Sequence, residues 1–456
     1  MASVGVEAAV EKLPDGKIGH AIETDLILDE EVSAHLIDVT VKEGIATLSG
    51  TVDNILARDR AVNIAGRIKG VRAVINRLDI RPIVRPDDAI RADIETALAL
   101  DPATDSMEID VAVSEGAVTL SGEVESWAEK NLASTVVKGV KGVVDVANDI
   151  DIDFDAKRPA DEIRADIDRR LENDIRIDDE LITVRVKKNM VRLTGVVGSV
   201  AEKKLAWEDA MVNGVEQVNT DKLDVEWWAR DSLQRKSAQA VDDQTIVEAI
   251  YDAYAYDPRV SSANPNVEAE AGAVTLSGTV SDLAAKYAAA QTARQTAGVV
   301  MVTNLLRVRP MTVAADSTIE KLARAALRRD PYLEMRELEV TARNGKVYVY
   351  GRVNSEFERR RATDVVSRVS GVIDMENNIE ALDSWEHATD MAISRRIESK
   401  YAWSSKIDRE DISVTVDNGV VTLTGAADTW SERLAAAELA WDAGARYVKN
   451  DIAIAQ

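Results

Sequence analysis

Gly116-Ala117-Val118-Thr119-Leu120-Ser121-Gly122 decides the fold of this chain, because five other stretches repeat it: Gly44 to Gly50, Asn189 to Gly195, Gly272 to Gly278, Gly345 to Gly351 and Gly419 to Gly425. The closing glycines lie 72, 73, 83, 73 and 74 residues apart, so the chain is six copies of one unit. Within each copy apolar residues alternate with polar ones (Val118 and Leu120 against Thr119 and Ser121), the period of a strand with one buried face. The opening glycine suits a tight turn that needs positive φ, and Asn189 replaces it in copy three as the next-best residue for that turn.

Working outward, the pattern around each strand predicts helix, strand, strand, helix, strand. In copy two, Ile90, Ile94 and Leu98 mark one face of the first helix, and Asp101-Pro102 stops it; Asp257-Pro258 and Asp330-Pro331 do the same in copies four and five. A valine stands eleven residues before every closing glycine: Val39, Val111, Val184, Val267, Val340 and Val414. It belongs to the first strand of a hairpin whose outward residues are mostly polar, so one sheet face should be wet.

The second helix has the sharpest signature. Four residues past the closing glycine stands a favoured N-cap: Asn54, Ser126, Ser199, Asp282, Ser355 or Thr429. Glu129, Glu202, Glu358 and Glu432 follow three residues later, as in a capping box. The next position is always basic (Arg58, Lys130, Lys203, Lys286, Arg359, Arg433), and three further on always alanine (Ala61, Ala133, Ala206, Ala289, Ala362, Ala436). The alanine implies a helix pressed closely onto the sheet. Gly70, Gly142, Gly214, Gly298, Gly371 and Gly444 are expected to end this helix. A third strand follows with Asn76, Asn148, Asn304, Asn377 or Asn450, and Thr220 in copy three. The fold class is therefore α+β: six tandem αββαβ units, each a three-stranded mixed sheet with two helices on one face.

The joint pattern Gly-x-Val-x-Leu-x-Gly, capped helix, then Gly142-Val143-Val144-Asp145-Val146-Ala147-Asn148 resembles the BON domain, named for bacterial osmotically induced periplasmic and nodulation proteins. The resemblance covers nearly the whole chain. It implies a bacterial, non-enzymatic protein with roles in envelope maintenance or stress response and binding to phospholipid or protein. Family members commonly carry an export signal and one to three domains.

The units are expected at residues 16–82, 88–154, 160–227, 243–310, 316–382 and 387–455, with a linker at 228–242. Units this small are marginal alone and need neighbours or oligomer partners. Proline marks the short joints (Pro82 and Pro86, Pro159, Pro310) and suggests fixed spacing. The longer joint, Trp227-Trp228 through Asp242, divides two triplets and is expected to let them orient independently.

A net charge of −24 argues against nucleic acid as a partner. Cysteine is absent, and the three histidines (His20, His35, His387) share no repeat position, so no catalytic residue, cofactor site or metal site is expected. The run Asp149 to Asp155 lacks the glycine and closing glutamate of a calcium loop and reads as a solvated strand face. No stretch has the pattern of a signal peptide or membrane span, which favours a cytoplasmic location, whereas the family resemblance favours the periplasm.

The candidate interaction surface is the basic column (Arg58, Lys130, Lys203, Lys286, Arg359, Arg433), with Trp127 and Trp430 on the first turn of the second helix and Trp227 and Trp228 at the long joint. The cations, expected to be exposed, meet either lipid phosphates and acidic neighbours or carboxylates of their own helix. The tryptophans cover the local core or touch a bilayer or another unit. The function expected is a non-enzymatic, multivalent binding and scaffolding protein, whose partners are proteins, itself as a homo-oligomer, or membrane phospholipid. The alternative is a self-assembling structural protein that forms filaments or lattices.

Overall fold

The computed structural model describes residues 13–29, 31–81, 85–104, 107–154, 158–229, 241–260, 265–310, 313–381, 388–407 and 411–455. Six units repeat one topology. In unit two the first helix is Asp87–Leu100, the hairpin pairs Glu108–Ser114 with Ala117–Val124, the second helix is Trp127–Lys138, and the third strand starts at Asp145–Asn148. The middle strand of each sheet is the repeated stretch, antiparallel to the first strand and parallel to the third. The column valine faces the column leucine across every hairpin, as in Val111 opposite Leu120 and Val184 opposite Leu193. Unit five keeps the register with Val349 in the leucine's place.

Six separate cores follow, one per unit. The alanine of the second helix is fully buried in all six, which is why no larger residue stands there. The closing glycine is required by contact as well as by conformation. At Gly122, with φ of 130°, a Cβ would stand 2.2 Å from the carbonyl oxygen of Glu108.

The caps lie where the sequence places them. The Ser126 hydroxyl accepts the Glu129 N–H at 3.2 Å, and Glu129 Oε2 accepts the N–H of Glu125 at 2.8 Å. That return bond lands one residue before the N-cap, and Glu358 and Glu432 repeat it on Asn354 and Asp428. The end of the second helix differs from expectation. It stops at Gly66, Lys138, Asp209, Arg294, Ser367 or Asp442, two to five residues short of the positive-φ glycine. In units one, two, four and five the released turn instead offers backbone groups to another unit.

Candidate interaction surface

The basic column sits where the second helix crosses the third strand, and its side chains are half-buried in all six units, contrary to the expected exposure. The reason is a node that the column shares with the asparagines of the third strand. Asn148 Nδ2 donates to the carbonyl of Lys130 at 2.7 Å, and its Oδ1 accepts the Ile150 N–H. Lys130 Nζ returns to the carbonyl of Ile150 at 2.7 Å. Asn304, Asn377 and Asn450 bind the carbonyls of Lys286, Arg359 and Arg433 in the same way. Lys203 Nζ reaches the Leu223 carbonyl even though Thr220 replaces the asparagine there and the strand register shifts. Arg433 donates to Asn450, Arg359 pairs with Glu356, and Arg58 meets Asp145 of unit two at 3.3 Å.

One position past the N-cap, a variable apolar residue plugs the next unit. Ile55 lies within the core of unit two. Trp127 packs on the core of unit three and donates its Nε1–H to the Val215 carbonyl at 2.7 Å. Val200 packs on the core of unit one, beside Gly66. Units one, two and three therefore close into a ring. In the second triplet Leu283 lies in the core of unit five, and Trp430 packs on the core of unit four with its buried Nε1 unpartnered. Unit five has Glu356 at this position, and its next residue, Phe357, turns to Tyr332 and to Arg60 of unit one. Trp227 and Trp228 are half-buried just past the third strand of unit three, and residues 230–240 of the long joint lie outside the described residues, as does His387.

The two triplets are docked on each other, so the long joint does not leave them independent. Units one and six meet through Lys69 N–H to the Trp403 carbonyl and Ser405 N–H to the Arg67 carbonyl. Units two and five exchange Lys141 N–H to the Arg329 carbonyl and Ser370 N–H to the Leu100 carbonyl. Units three and four pair Ile175 N–H with the Gln295 carbonyl and Ala297 N–H with that of Asn173. Each contact joins the end of one first helix to the end of another second helix.

Charged groups buried at this seam are paired. Lys400, 4% exposed, reaches Asp25 of unit one at 3.1 Å. Arg60 binds Asp29 at 2.6 Å and Asp442 of unit six at 3.7 Å. Burial raises the carboxyl pKa of Asp25, Asp101, Asp330 and Asp442 against the pull of the neighbouring cations. Glu31 is pushed up to about 7 by burial, assisted by the charges of Glu358 and Asp29, while it accepts a hydrogen bond from Ser355 of unit five.

Two aspartate columns carry roles that the sequence reading misses, although Asp101, Asp257 and Asp330 of the second read as helix stops. Asp15, Asp87, Asp243, Asp316 and Asp390 open the first helix and clamp both N–H groups of the hairpin turn, as Asp87 does to Glu115 and Gly116 at 2.9 and 3.0 Å. Unit three has Ala160 there. Asp29, Asp101, Asp174, Asp257 and Asp330, with Ser404 in unit six, close the first helix and accept the N–H two residues on. Both columns repeat at fixed distances from the closing glycine, and that spacing was the available signal.

Among the described residues no group of carboxylates or histidines could hold a metal, and no helix is long and apolar enough to cross a membrane. A family model, BON domain, matches residues 14–82, 86–153, 159–226, 242–310, 315–383 and 389–456. The chain is similar to the osmotically-inducible protein Y of Escherichia coli, 28% identical over 145 residues that cover 30% of this chain and 72% of that protein. Two solved structures of CdsD, a structural protein of the type III secretion system of Chlamydia trachomatis, align at 14% identity and a TM-score of 0.13. They cover 44% and 47% of this chain and 88% and 100% of their own.

Proposed function

The chain belongs to the BON-domain family, six units of it in succession, and from that premise we propose a non-enzymatic, stress-related binding and scaffolding protein that works as one rigid multivalent particle. The observation supporting this reading is the commitment of the second-helix flanks to neighbouring units: Ile55, Trp127, Val200, Leu283 and Trp430 each pack on another unit's core, and Phe357 of unit five meets Arg60 of unit one. With the flanks committed, the polar sheet faces are the repeated surface left for partners, held at fixed spacing. In the middle strand of unit two the residues between the buried ones, Thr119 and Ser121, are exposed, and in units one and four their counterparts Thr47, Ser49, Thr275 and Ser277 are half-buried. Weak contacts repeated on six rigidly spaced faces gain avidity when a target matches the spacing.

Protein partners fit this surface better than anionic lipid, because a particle of charge −24 is repelled by acidic headgroups. The basic column and the four tryptophans are proposed to serve the particle's own assembly. Flotation with vesicles of zwitterionic and of anionic phospholipid tests the lipid arm. Strong binding to anionic vesicles at physiological salt would refute the preference for protein. A cytoplasmic location remains part of the proposal, and fractionation of cells expressing the native protein checks it.

A second reading is self-assembly into filaments or lattices. It is favoured by the sheet edges: among the described residues no strand pairs with a strand of another unit. Concentration-dependent light scattering distinguishes the two readings, since a closed particle stays at one mass as its concentration rises.

A further inference from the structure

Between units two and five lies an open cleft of about 560 Å³, within the range of small-ligand sites. Six cations line it against two carboxylates, in a chain whose net charge is −24. Arg85 and Lys141 come from the unit-two side, and Lys321, Arg324, Arg328 and Arg329 from the first helix of unit five, Asp316–Arg329. The first helices of units one to four each carry more carboxylates than cations. This one carries four cations and two carboxylates, the largest excess of the six.

Most of this charge has no internal counter-charge. Arg85 pairs with Asp93 at 2.7 Å and Lys141 with Glu334 at 2.9 Å. Glu320, the other carboxylate of the cleft, accepts the Ala342 N–H at 2.8 Å. Among the described residues no carboxylate stands within 4.0 Å of the charged nitrogens of Lys321, Arg324, Arg328 or Arg329. Arg324 donates to the Val340 carbonyl at 3.1 Å, a bond that leaves its charge uncompensated. Arg329 is half-buried, and burial lowers its pKa against the pull of Asp93. The helix dipole favours cations in the last turn, which covers Arg328 and Arg329 only. Lys321 and Arg324 stand a turn or more earlier, and like charges three and four residues apart on a helix repel. The gathering therefore costs stability, and it creates a field of one sign focused between two walls.

The lining also narrows the kind of anion. Four of the six cations are arginines, whose planar forks match phosphate oxygens. Among the described residues no aromatic ring lines the cleft and Ala325 is its one apolar side chain, so a nucleoside base finds no matching surface. We infer that the cleft binds a soluble condensed phosphate of a few phosphoryl groups, which supplies the missing counter-charge. A phospholipid headgroup carries related chemistry, and the experiment separates the two sources. The site is distinct from the sheet faces proposed above as the partner surface. It exists only once the triplets are docked, because unit two belongs to one and unit five to the other.

The test is calorimetric titration of the full chain at about 0.15 M salt, where long-range attraction is largely screened. The probes are tripolyphosphate, orthophosphate and sulfate, and flotation with phosphatidylglycerol vesicles reports the lipid source. Saturable binding of tripolyphosphate is expected, about tenfold or more tighter than either single anion, with no flotation. Lys321→Gln and Arg328→Gln, both exposed and outside the ion pairs, should each weaken it about tenfold, the loss of roughly one charge-assisted hydrogen bond. Arg352→Gln removes an exposed cation from the sheet of the same unit and should leave the affinity unchanged. No saturable signal for tripolyphosphate would overturn the assignment, as would sulfate bound equally tightly. Equal weakening by all three substitutions, or by none, would do the same. So would flotation that Lys321→Gln and Arg328→Gln abolish in the absence of tripolyphosphate binding, which would give the cleft to lipid.

Discussion

Trp127 and Trp430 hold the same position in their units and plug neighbours in the same way, yet one indole N–H has a partner and the other has none. Replacing each by phenylalanine separates these cases. Trp127→Phe removes the 2.7 Å bond to the carbonyl of Val215, a fully buried residue. The bond itself is worth about 1 kcal/mol net, and an orphaned carbonyl adds about 1 more. Trp430→Phe removes a buried donor that nothing satisfies, which recovers about 1 kcal/mol. Both variants lose ring area and weaken a cation–π contact. Trp430 sits under two cations, Arg433 and Arg294, at 4.7 and 5.9 Å, so its loss is up to about 1 kcal/mol against about 0.5 for Trp127 and Lys130. The balance leaves Trp127→Phe the costlier change by roughly 2 kcal/mol.

Hydrogen exchange read by mass spectrometry on the full chain reports each neighbour separately. Peptides around residues 212–225 follow unit three in the first variant, and peptides around 296–308 follow unit four in the second. A gap of about 2 kcal/mol appears as roughly thirtyfold faster local opening in the first. Equal effects, or a larger one at Trp430, would refute the account of how the neighbouring units are plugged.

Further outcomes follow from the same contacts. Ser126→Ala should cost about 1 kcal/mol and Glu129→Ala less, measured by denaturation of the full chain. Asp87→Ala frees the N–H groups of Glu115 and Gly116 and should cost about 1–2 kcal/mol, whereas Ala160→Asp should stabilise unit three by offering the missing clamp. Because Glu31 has a folded pKa of about 7 against an ordinary 4.5, the folded state holds its proton more tightly than the unfolded one. The stability this group contributes is full below the ordinary range and is lost as pH rises through about 7, by roughly 3 kcal/mol. Melting temperature should therefore fall between pH 5 and pH 8, and Glu31→Gln should flatten that slope; an unchanged slope would remove Glu31 as the cause.

The local architecture was legible because it is written six times. Cap, cation, alanine, glycine and asparagine each occupy a fixed column, and each has one physical task within the unit. The sharing of carbonyls between Lys130 and Asn148 was less legible, since it needs the helix and the third strand in contact. Of ring closure only a hint could be read: Trp127 and Trp430 are expected to cover the local core or to touch a bilayer or another unit, with no partner named. The residue at their position varies as Ile55, Trp127, Val200, Leu283, Glu356 and Trp430, and variation in a column looks like indifference. The five apolar residues vary because each fits a different neighbour, with a different gap to fill, whereas Glu356 pairs with Arg359 of its own helix.

The order in which the units pair has a kinetic consequence. One meets six, two meets five and three meets four, so the contacts are nested about the long joint like the rungs of a hairpin. Loop closure costs more entropy for longer loops, so the inner pair has the shortest search and each closure shortens the next. Force applied to the two ends of the chain meets the outermost pair first. Optical-tweezer pulling should therefore release units one and six before any inner contact, in three discrete lengthenings on the way to two free triplets. A first step that parts units three and four would contradict the nesting.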